Sequence, residues 1–91
     1  MSITGPKPYG LRGDIREAEN VRRIFELTAR MSLLRVSAEL WDENINPPSG
    51  RDARWSVSAL QHVLRNPRHA ATVDAPLRRR ALRALARRRK R

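Results

Sequence analysis

The chain has 91 residues, no cysteine, two Trp, one Tyr, one Phe and a formal net charge of +11. That length allows one small domain whose core must come mainly from Leu, Ile, Val and Ala, and the lack of cysteine excludes a disulfide framework or a thiolate zinc site. No apolar run exceeds three residues, which excludes a signal-peptide core or a membrane-spanning helix, so we expect a cytoplasmic chain without a membrane partner.

The location of the charge matters more than its size. Residues 77–91 hold nine basic and no acidic side chains, which leaves eleven basic and nine acidic ones in residues 1–76. A nearly balanced head thus precedes a polycation, and polycations of this density seek polyanions, nucleic acid first.

In chain order, MSITGPKPYGLRGD holds three Gly and two Pro and reads as an extended lead-in arm over residues 1–14. A first helix is expected from Asp14 or Arg16, with Glu17 and Glu19 in its first turn, where carboxylates suit the positive end of the dipole. Ala18, Val21, Ile24, Phe25 and Thr28 recur at the spacing of one buried helix face, and Leu27 widens it. Ser32 is a natural N-cap for a second helix, LLRVSAELWDE, with Leu33, Val36, Ser37 and Leu40 inward and Trp41 at the edge. Asn44 follows its last turn and tolerates the left-handed conformation that ends helices. Ile45 can fold back on that end, and Pro47 and Pro48 forbid continuation.

NPPSGRDAR is turn-rich, open to a short hairpin or to no regular structure. Ser56 then caps a third helix, preceded by Trp55 at the hydrophobic-staple position. Val57, Leu60, Val63 and Leu64 form its inner face. At 100° per residue Ser58, His62, Arg65 and Asn66 lie opposite, flanked by Gln61, and Pro67 ends the run. Asp74 can cap a fourth helix with Pro76 in its first turn. There Leu77, Ala81, Ala84 and Leu85 share one side, and Arg79, Arg80, Arg83 and Arg87 another. Repulsion among the cations argues for a tail that is partly helical or disordered.

The motifs PYG (Pro8–Gly10), EAENVRRIFEL (Glu17–Leu27), SLLRVSAEL (Ser32–Leu40), PPSG (Pro47–Gly50), WS (Trp55–Ser56) and VLRNP (Val63–Pro67) occur in an order and spacing that resembles the DNA-binding "recombinase" domain of large serine site-specific recombinases. The resemblance covers about residues 5–71. The chain departs from the family at Trp41, where Asn is usual, at Asn44 and Ala71, where Gly is frequent, and at His69, where an aromatic is frequent. The family's catalytic domain, with its nucleophilic serine, and its Cys-bearing zinc ribbon have no counterpart in this sequence.

The resemblance implies sequence-specific binding of double-stranded DNA at a recombination site of a mobile element, with no strand cleavage by this chain. It also implies other protomers, or a serine recombinase catalytic domain, as protein partners. The fold expected is mainly α: a three-helix, helix-turn-helix-like domain over residues 15–71, followed by a basic helix or tail over residues 72–91. Residues 44–55 make a long connection before the recognition helix, since a compact turn takes about 3–4 residues.

Independently of the family, a Ser-capped helix with short polar and cationic side chains outward suits a major groove. Ser56 and Ser58 can reach phosphate, Gln61 adenine and Arg65 guanine, with His62 on the same face. Arg51 and Arg54 are placed to meet phosphate from the connection, and Lys7 and Arg12 from the arm, along a minor groove. Arg79, Arg80, Arg83 and Arg87 would add affinity without sequence preference. Each of these residues has an ordinary alternative as a solvated side chain, and Ser56 one as a cap alone. Phe25, Trp41, Trp55 and Tyr9 are most simply core.

Catalysis fails on inventory. His62 and His69 fall on different elements with no third ligand, so no metal or other cofactor is expected. Ser56 lacks a His–Asp arrangement, and the lead-in glycines lack the strand and Lys-Ser/Thr of a phosphate loop. The alternative function is a basic adaptor or RNA-binding protein whose Arg-rich tail carries the binding.

Overall fold

The computed structural model describes residues 14–47, 53–71 and 73–89. Four helices form, α1 (Ile15–Thr28), α2 (Leu33–Asp42), α3 (Val57–Arg65) and α4 (Ala75–Arg89), with a short 3-10 turn at Pro67–Ala71 and no strand among the described residues. The domain is mainly α, as its sequence pattern implies.

Three of the helix starts follow from single side chains. Asp14 accepts the N–H of Arg16 at 2.9 Å, Ser32 that of Arg35 at 3.4 Å and Ser56 that of Ala59 at 3.0 Å. Each takes up a donor that the first helical turn leaves without an intrahelical partner. At the end of α2, Asn44 takes φ 63°. The N–H of Ile45 then reaches the carbonyl of Leu40 at 2.8 Å, and that of Asn44 reaches Trp41 at 3.0 Å. This is a Schellman closure, for which asparagine is the best-tolerated residue after glycine, and it turns Ile45 back onto the core.

The core gathers one face from every helix. Val21, Ile24, Phe25 and Leu27 of α1 meet Leu33, Val36 and Leu40 of α2, Leu60, Val63 and Leu64 of α3, and Trp55 just ahead of α3. Among the inward residues expected for α1, Thr28 is fully buried and Ala18 only partly so. Trp41 is the exception among the described Phe and Trp side chains. It is 40% exposed and lies outside the core, because it sits at the edge of α2's apolar stripe and turns its ring to Arg54 instead.

Of the alternatives expected for the tail, the described residues take the helical one. Ala75–Arg89 is continuous, packs most extensively on α1, and buries Ala81 fully and Leu85 to 6% exposure. Leu77 and Leu82 pack against the same core. Magnitudes explain the outcome. Like-charge pairs such as Arg79–Arg83 and Arg83–Arg87 cost about 0.2–0.5 kcal/mol each, whereas burying one Leu yields about 1.5–3 kcal/mol. Burial wins, and the arginines are left on the outer side.

Candidate nucleic-acid interface

The outward side of α3 carries the side chains that its sequence pattern singles out. Ser58, His62 and Arg65 are exposed and Gln61 is half-buried. Positions 58, 61, 62 and 65 recur at i, i+3, i+4 and i+7, which stacks them along one stripe of the helix. Together with Asn66 and Pro67 they line an open groove of about 530 Å³. No acidic residue lies between Val57 and Arg65, so the groove carries neutral and cationic chemistry alone.

Its two ends are fixed locally. Ser56 spends its oxygen as an acceptor on the cap of α3. Asn66 accepts the N–H of Arg68 at 3.0 Å through its side chain, forming an Asx turn that stops the helix ahead of Pro67. Asn66 therefore shapes the groove as well as lining it. The Asn-Pro pair signals the helix stop in sequence but not this second role.

Ahead of α3, Arg54 is exposed and its guanidinium carbon lies 5.3 Å from the centroid of the Trp41 ring. One residue on, the carbonyl of Trp55 accepts the Ser37 hydroxyl at 2.6 Å. Two neighbouring α2 side chains thus hold two consecutive residues at the entrance to α3. On α4, Arg79, Arg80, Arg83 and Arg87 are all exposed. Arg80 also borders a second groove of about 480 Å³ between α1 and α4, with Arg22, Arg30 and Asp74, and this groove shares no residue with the first. The expected contacts Lys7, Arg12 and Arg51 lie outside the described residues, as does Tyr9.

One group of charges is structural. Arg23 donates to both oxygens of Glu43, with contacts of 2.6 and 2.9 Å, and so ties α1 to the end of α2. These hydrogen bonds, more than the simple attraction of charge, hold the Glu43 carboxyl below its ordinary value and raise the Arg23 guanidinium. Glu26 pairs with Arg22 at 3.5 Å and Arg23 at 3.4 Å. Among the described residues no three His, Asp or Glu side chains gather at metal-binding distance, and no helix is long and apolar enough to cross a membrane.

His69 is 1% exposed and meets Phe25 edge-on, with ring centroids 6.4 Å apart. It fills an aromatic's place in the core. Burial first, and the charge of Arg78 second, hold its imidazole below the ordinary value. The unfolded chain therefore takes up a proton as pH falls through about 6.5, before the folded chain does. Stability from this site is full above that pH and declines as pH drops toward the lower folded value. The urea midpoint should fall between about pH 7.5 and 5.5. A His69→Phe variant should lose that slope, whereas the decline due to Glu43 belongs to pH values below its usual 4.5. An unchanged slope in His69→Phe would place the titrating group elsewhere.

A family model described as Recombinase matches residues 15–88. No curated protein and no solved structure matches the chain.

Proposed function

The chain belongs to the Recombinase family, the recombinase domain of serine recombinases, and from that premise we propose that it recognises double-stranded DNA at a recombination site and cuts no strand itself. The observation that carries this reading is the exposed, acid-free groove of Ser58, Gln61, His62 and Arg65 along α3. A helix of this kind, placed in a major groove, presents an amide and a guanidinium to base edges. Gln61 would pair with adenine and Arg65 with the O6 and N7 of guanine, while Ser56, Ser58 and His62 take phosphate or neighbouring bases.

Around this reading element, phosphate contacts set position. Arg54 and Arg51 approach from the connection of the helix-turn-helix-like unit, and Arg79, Arg80, Arg83 and Arg87 from the outer face of α4. Lys7 and Arg12 belong to an arm over residues 1–14 that follows the minor groove. Strand cleavage would come from a serine recombinase catalytic domain, acting with this module and with other DNA-bound protomers.

Selection of bound duplexes from a random pool at about 150 mM salt, where the non-specific component is reduced, tests the proposal. One family of duplexes should be enriched. Gln61→Ala and Arg65→Ala should each relax preference at one position, by about 1–3 kcal/mol of discrimination. A pool that stays random while affinity remains high and salt-sensitive would instead favour a basic adaptor or RNA-binding protein.

A further inference from the structure

We propose that Trp41 is a positioning residue for DNA binding. It holds the Arg54 guanidinium, through its ring face, in the place where that group meets a backbone phosphate at the entrance to α3. The inference rests on the DNA-recognition reading above and adds to it a residue that touches no DNA.

Four observations converge on it. Trp41 is 40% exposed and outside the core, so packing of the interior does not account for a large aromatic at this position. Its ring instead faces Arg54, 5.3 Å from ring centroid to guanidinium carbon. Within about 6 Å such a cation is attracted by the negative face of the ring.

The backbone next to Arg54 is held by the same helix. Ser37, one turn before Trp41 on α2, donates its hydroxyl to the Trp55 carbonyl at 2.6 Å. Positions four apart on a helix stand one above the other, so Ser37 and Trp41 form a two-point clamp. One point fixes the main chain and the other the side chain. A free arginine gives up much of its rotamer freedom on meeting a phosphate. One already held against a ring has given up part of it.

The ring meets the Arg54 guanidinium carbon at 5.3 Å, and no described acidic residue pairs with the N–H donors that bidentate phosphate recognition needs.

The test is a double-mutant cycle on the full chain, read as affinity for the duplex enriched above and for a scrambled duplex. Trp41→Ala should weaken binding about two- to fivefold, the range that follows from an exposed cation–π contact. It should do so equally for both duplexes, because phosphate contacts carry no sequence information. Arg54→Ala should weaken binding further and flatten the log–log salt dependence by about 0.9. On the Arg54→Ala background, Trp41→Ala should change affinity less than about 1.5-fold, and Trp41→Phe should retain most of the parent affinity.

An equal loss with and without Arg54, or no loss at all, overturns the inference while leaving recognition by α3 intact. A loss shared by Trp41→Phe would mark a merely steric role and overturns it as well. If the parent chain prefers no duplex, the recognition reading falls and this inference falls with it. Thermal unfolding followed by circular dichroism should be nearly unchanged in the Trp41 variants, which separates loss of positioning from loss of fold.

Discussion

Replacing Arg79, Arg80, Arg83 and Arg87 together by glutamine should flatten the salt dependence of duplex binding by about three to four on the log–log scale, since each phosphate neutralised contributes about 0.9. At about 150 mM salt the loss in affinity should reach two orders of magnitude or more. The ratio of preferred to scrambled duplex should stay where it was, because these side chains lie outside the α3 groove. Glutamine keeps helix propensity close to that of arginine and removes like-charge pairs, so the variant should be at least as stable as the parent. Titrations at four salt concentrations check both statements. An unchanged slope would mean that the α4 arginines meet no phosphate. A collapse of the ratio would mean that they read bases.

Ala81→Asp should unfold the domain or undock α4. Ala81 has no exposed surface and faces the core shared with α1. A carboxylate there is too short to reach water, and an uncompensated buried charge costs about 3–5 kcal/mol. Against a total stability of about 5–15 kcal/mol, with small domains at the lower end, that is most of what is available. Ala86→Asp is the control. Ala86 is exposed on the same helix and should cost only about 0.7 kcal/mol of propensity, partly offset by its attraction to the surrounding arginines. Urea unfolding of the pair checks the difference. Similar midpoints would show that α4 is not part of the cooperative unit.

Much of this arrangement is legible from local signals. Ser32, Ser56 and Asn44 announce two helix starts and a stop, because capping depends on side chains within three or four residues of the peptide groups they serve. The α3 stripe of Ser58, His62 and Arg65 follows from period alone. What local reading misses is decided at long range. The arginine run argues against a stable α4, since repulsion is visible in sequence whereas the α1 surface that covers Ala81 and Leu85 is not. Trp41 reads as core from its apolarity, yet its ring meets Arg54, thirteen positions away, across a connection whose path the sequence leaves open. His69 looks like a departure from an aromatic position and proves to serve as one, because an uncharged imidazole against Phe25 has the shape and polarity that the site requires.

The double nature of α4 has a consequence for how this protein is lost. In a chain whose polycation is a loose appendage, a protease can trim the cations and leave a folded head that still competes for the binding site. Here a cut at the start of α4 removes Ala81 and Leu85 of the core along with the exposed arginines. Loss of α4 should therefore lower stability and duplex affinity together, which a lower urea midpoint and weaker binding in a variant ending at residue 74 would show.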